Sequence, residues 1–119
     1  MIDIEDLLQI QDQAKVLHWQ TDSYAEHMAL GGFYDELSIL IDGFVETAMG
    51  IMGRPKAKKS YNIKVINYDD YDVSTYMTNV ANAFFKMKNS IPDTQTDLQN
   101  ILDEMIGLAN KTKYLLTLS

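Results

Sequence analysis

Residues 23–53 read SYAEHMALGGFYDELSILIDGFVETAMGIMG, and this stretch decides the fold. Leu30, Phe33, Leu37, Leu40, Ile41, Phe44, Val45 and Ala48 recur three and four residues apart, the spacing of one face of an α-helix. Ser23 and Glu26 match the S-x-x-E capping box, which satisfies two orphan backbone donors reciprocally. Gly53 is a stop signal, and Pro55 just beyond it cannot continue the helix. Gly31, Gly32, Gly43 and Gly50 lie inside, each costing about 1 kcal/mol of helix propensity against Ala. Four such costs predict close backbone packing or a local kink. A long helix with one apolar stripe must bury it against other elements.

Those elements lie on both sides. Upstream, Leu7, Ile10, Ala14 and Leu17 stripe a helix from Asp3 to Trp19, with Asp3 as its cap and Glu5 and Asp6 at the positive end of its dipole. Gln20–Asp22 is a short break. Downstream, Arg54 to about Asp70 has no helical period, which is long for a plain loop; Asn62–Tyr68 suits a short turn or strand-like piece. A third helix follows from about Asp72 to Asn89, with Val73, Met77, Val80, Ala81, Phe84 and Met87 on one face. After Ser90–Asp93 a fourth starts near Asp93 or Thr94, striped by Leu98, Ile101, Leu102, Met105, Ile106, Ala109, Leu115 and Leu116. The pattern predicts an all-α chain: one domain over residues 1–119, an antiparallel four-helix bundle with a long crossover between helices 2 and 3.

Composition narrows the function. There is no cysteine, which excludes disulfides, thiol catalysis and thiolate metal sites. No apolar run is long enough to span a bilayer, so no membrane partner is expected. The acidic start does not resemble a signal peptide, and a cytoplasmic location is the default. The net charge of −7 disfavours nucleic acid. Arg54, Lys56, Lys58 and Lys59 form a local exception, read as a solvated loop beyond a helix C-terminus. The only histidines are His18 and His27, so Ser-His-Asp and Cys-His catalysis have little support. Gly31-Gly32 lacks the frame of a phosphate-binding loop.

Metal binding by imidazole and carboxylate is what remains. At about 100° per residue, His27, Asp35, Asp42 and Glu46 fall on one broad helix face. Asp42 and Glu46 are one turn apart, and His18 lies just across the break. Such a donor set suits iron, manganese or zinc. Spacing alone leaves the bland alternatives open: a solvated acidic face, a packing or capping role for His18, and an exposed His27. The Glu-x-x-His pairs of di-iron bundles are absent, since Lys15 and Tyr24 stand three residues before the two histidines.

Leu17-His18-Trp19 resembles the His-Trp motif of the Dps-type mini-ferritins, in the ferritin-like superfamily. Asp42-Gly43-Phe44-Val45-Glu46 resembles that family's Asp-x-x-x-Glu motif, and Gly53-Arg54-Pro55 its following turn. The resemblance covers about two-thirds of the chain. It implies a ferritin-like bundle and a homo-oligomer with a two-fold interface. It also implies an iron site split across that interface, with His18 and His27 from one subunit and Asp42 and Glu46 from the other. Ferroxidase activity, and iron storage or oxidative protection, would follow. Trp19 would lie beside the site. The family's further Asp falls here on Gly31, with Asp35 one turn later. The link between the histidines is three residues shorter, and there is no Lys-rich tail for DNA. Small ferritin-like proteins of tailed phages look similar too. The alternative expectation is a non-enzymatic bundle, kept as a binding or assembly module.

Overall fold

The computed structural model describes residues 3–119. α1 spans Ile4–Gln20, and the Asp3 side chain accepts from the Asp6 N–H at 3.0 Å to cap it. α2 spans Tyr24–Met52 and ends at Gly53, whose φ of +78° lies in the region that favours glycine. α3 spans Val73–Ser90, capped by Asp72, and α4 spans Thr96–Leu115. A single 3₁₀ turn, η1, covers Tyr68–Asp70. No strand forms among the described residues.

α1 packs on α2, α2 on α4 and α4 on α3, while α1 and α3 touch more lightly. The four stripes meet in one core. Leu7 and Leu17 of α1, Phe33, Leu37 and Phe44 of α2, Met77 and Phe84 of α3, and Leu98, Leu102 and Met105 of α4 are buried there. Burying each of these side chains contributes roughly 1.5–3 kcal/mol before ordering costs. Buried Leu108 and Thr112 extend the α4 stripe, while Ile101 and Ile106 are only partly covered. α4 starts at Thr96, two to three residues later than the Pro92-Asp93 break suggests. Its N-cap residue, Gln95, supplies no side-chain hydrogen bond.

The segment between α2 and α3 is held along α1 by side chains. The N–H of Asn62 donates to Glu5 Oε1, that of Lys64 to Gln9 Oε1 and that of Ile66 to Gln13 Oε1. Gln13 Nε2 returns a bond to the Ile66 carbonyl, and Gln20 holds Tyr68 N–H and the Asn67 side chain. The geometry matches: four helical residues rise about 6 Å and two extended residues about 6.6 Å. One helix face thereby satisfies alternate N–H groups of an otherwise unpaired chain.

Candidate metal centre

The corner between α1 and α2 is tied by a small network. Thr21 Oγ1 donates to Glu26 Oε1 and accepts from the Ser23 N–H, and Ser23 Oγ accepts from the Glu26 N–H. This corrects the capping-box reading in one respect. The Ser23 half forms, but the Glu26 carboxylate turns away from the Ser23 N–H and takes the hydroxyls of Thr21 and Tyr68 instead.

The tied corner brings His18, in the last turn of α1, against His27, in the first turn of α2. Their rings stack with centroids 3.9 Å apart and planes 15° from parallel. Each also bonds across the corner: His18 Nδ1 lies 2.6 Å from the His27 carbonyl, and His27 Nδ1 lies 2.8 Å from the His18 carbonyl. A carbonyl only accepts, so Nδ1 carries the proton in both rings. The His18 carbonyl is one of the orphan acceptors at the end of α1, so His27 also completes that helix terminus. His27 is therefore half-buried, not merely an exposed first-turn residue.

Two consequences follow for chemistry. In the neutral rings both Nε2 atoms keep a free lone pair, the usual arrangement of a metal-ligating histidine whose other nitrogen is fixed by a carbonyl. No fully buried side-chain nitrogen or oxygen lacks a partner among the described residues, so both Nε2 atoms reach solvent. They do so beside a cleft of about 490 Å³ that is also lined by Gly31, Gly32 and Asp35. Lys15 borders the cleft. Its ammonium donates to Tyr34 Oη at 3.3 Å and sits 5.0–5.2 Å from the Tyr34 and Trp19 ring centroids, a cation–π arrangement. Lys15 and Trp19 stand four apart on α1, so both side chains lie on one face of that helix.

Gly31 has a role that its sequence position did not suggest. A Cβ there would come within 2.8 Å of His18 Cε1. The glycine is the seat of the His18 ring. Gly32, Gly43 and Gly50, in contrast, have open space where a Cβ would go, so close packing within the chain explains one of the four glycines inside α2.

Asp42 and Glu46 are exposed on α2. They lie 15 and 19 residues beyond His27, roughly 22 and 28 Å along the axis. One chain thus joins His18, His27 and the rim residue Asp35, and leaves Asp42 and Glu46 remote. Among the described residues no group of three or more His, Cys, Asp or Glu side chains is placed to hold a metal.

Residues 18–116 match DUF5856, a family of unknown function. The chain belongs to this family. The matched span includes every candidate ligand from His18 to Glu46. The chain is also similar to the "Uncharacterized 14.6 kDa protein in mobD-ri intergenic region" of Enterobacteria phage T4. That relative is 28% identical over 101 residues, covering 85% of this chain and 74% of the phage protein. No solved structure matches the chain. No helix among the described residues is long and apolar enough to cross a membrane.

Proposed function

We propose that this DUF5856 protein is a ferritin-like, Dps-type homo-oligomer of the bacterial or phage-host cytoplasm. It takes iron(II) as substrate at a site shared between two copies. His18 and His27 supply imidazole nitrogens, Asp42 and Glu46 of a second copy supply carboxylates, and Asp35 stands at the rim. An oxygen- or peroxide-class oxidant accepts the electron from iron(II). The single observation that carries this reading is the reciprocal Nδ1-to-carbonyl bonding, which presents two Nε2 lone pairs to one cleft. Neutral imidazole with carboxylate is a donor set suited to iron(II). The long α2–α3 connection lying along α1 supports the ferritin-like topology.

The outer face of α2 supports the pairing. Met28 and Ile39 are 55% and 73% exposed, and Gly32 and Gly43 have open space above them. Both pairs are eleven residues apart, close to three helical turns. In an antiparallel pairing about a two-fold between residues 35 and 36, Met28 would cover Gly43 of the second copy and Ile39 its Gly32. The same register would set His27 between Asp42 and Glu46 of that copy.

Anaerobic titration with iron(II), followed by oxidant, tests the reading. Saturable binding and iron-dependent absorbance are expected, with loss of both in His18→Ala and Asp42→Ala. Mixing these two variants should restore part of the signal, because a mixed pair holds one intact site. Absence of binding in the wild-type chain, or variants that bind as well as wild type, overturns it.

One observation favours a second reading, a non-enzymatic assembly module. Both histidines already bond helix carbonyls, which alone explains them as a clasp on the α1–α2 corner. Silent titration together with a destabilised His18→Ala variant is the outcome that selects it.

A further inference from the structure

Residues 54–64 contain Arg54, Lys56, Lys58, Lys59 and Lys64. These are five of the ten Lys and Arg residues, with none of the 17 Asp and Glu residues among them. All five are exposed, and the only ion pair among the described residues is Lys88–Asp103, elsewhere on the bundle. Exposed Ile51, Met52, Tyr61 and Ile63 flank this stretch. A solvated loop explains the charges, but not their concentration on a chain of net charge −7 with apolar side chains beside them.

Asp3 and Glu5 at the start of α1 border Lys56 and Lys58 without forming an ion pair, and the loop's five cations outnumber them. The other end of the bundle is acidic. Glu26, Asp69, Asp70 and Asp72 line a cavity of about 770 Å³ between the start of α2, η1, the start of α3 and the end of α4, and Lys113 is the one cation in its lining. Asp72 is anchored by the Thr75 N–H and hydroxyl, which hold its carboxyl below the ordinary range. Asp69 and Asp70 are exposed. α2 connects the two ends. Its 29 residues rise about 43 Å, matching the 42 Å long dimension of the molecule. That separation is several Debye lengths at physiological salt, so the poles cannot neutralise each other within one chain. They can meet only between copies.

We propose that the basic loop of one copy docks on the acidic end of a second copy, with the cationic side chains of residues 54–59 entering the cavity beside Asp69 and Asp70. The exposed apolar flank of the loop adds contact area. The interface is head-to-tail, so it propagates into a ring or a filament. It uses different surfaces from the α2 face and does not depend on the metal reading.

Sedimentation velocity on the full chain at low and high salt tests the contact. Two charge-reversed variants accompany the wild type: Lys56→Glu/Lys58→Glu/Lys59→Glu, and Asp69→Lys/Asp70→Lys, which spares the capping residue Asp72. All substituted positions are exposed, and circular dichroism checks that the helices persist. The wild-type chain should associate at low salt and dissociate at high salt. Each variant alone should lose at least about tenfold in association, as expected when like charges replace complementary ones. An equimolar mixture of the two should regain it, because the reversed loop then meets the reversed end. Three results overturn the proposal: no salt-sensitive association, salt-sensitive association that survives either reversal, or a mixture that gains nothing. Tight binding of a labelled DNA duplex by the loop, in place of self-association, also overturns it.

Discussion

A Cβ on Gly31 would stand 2.8 Å from Cε1 and 3.1 Å from Nδ1 of His18. The ring cannot yield freely, because it is stacked on His27 and bonded to that residue's carbonyl. Alanine would gain about 1 kcal/mol of helix propensity, but forcing atoms into a filled site costs roughly 1–3 kcal/mol. Gly31→Ala should therefore lower stability by about 1 kcal/mol net and, on the proposed metal reading, remove iron(II) binding by displacing His18. Denaturant unfolding and iron(II) titration read the two effects separately. An aspartate at this position, as in the resembled family, would collide with the same ring.

Gly43→Ala carries the opposite sign within one chain. Nothing lies within 4 Å of its Cβ position, so the protomer should gain about 0.5–1 kcal/mol in unfolding measurements at low concentration. If Met28 of a second copy occupies that space, the same substitution should weaken dimerisation in sedimentation equilibrium. A gain in both measurements would remove Gly43 from the interface.

Gln13 is 3% exposed and bonds both the N–H and the carbonyl of Ile66. Gln13→Leu should cost about 1–3 kcal/mol, because backbone groups at Ile66 lose their partner while remaining part-buried. Hydrogen exchange should accelerate first at the amides of residues 62–68, with the four-helix core remaining protected. Gln13→Glu should be worse still: a carboxylate buried here carries a desolvation cost and turns an oxygen, which cannot donate, toward the Ile66 carbonyl.

Tyr76 buries its hydroxyl and donates it to the Ile10 carbonyl at 2.6 Å. Burial pushes its phenol well above the ordinary value of 10.0. At alkaline pH the unfolded chain releases this proton and the folded chain keeps it. The stability it provides is therefore complete below about pH 10 and is lost as pH rises beyond, at up to about 1.4 kcal/mol per pH unit. Tyr76→Phe should lower stability at neutral pH by about 1 kcal/mol and flatten the alkaline limb of the stability profile. Thermal unfolding across the alkaline range measures both.

The helices were legible because each carries its own instructions. Apolar spacing marked the buried face of α2 from Leu30 to Ala48, and Asp3, Ser23 and Asp72 supply cap bonds that depend on residues only three positions away. The start of α4 was less legible because Gln95 caps nothing with its side chain. The connection after α2 was visible only as a lack of period. Glu5, Gln9 and Gln13 look like an ordinary polar face until the partner backbone, more than fifty residues away, is beside them.

The candidate site divides along the same line. The sequence by itself determined which residues share the exposed face of α2 and which two imidazoles flank the α1–α2 break, because helical periodicity and chain proximity are local properties. Only the tertiary structure decided that the two rings stack, that each surrenders Nδ1 to the other's carbonyl, and that Gly31 is the space His18 occupies. Those facts depend on the angle at which one helix returns along another, and that angle is set by packing of the whole core.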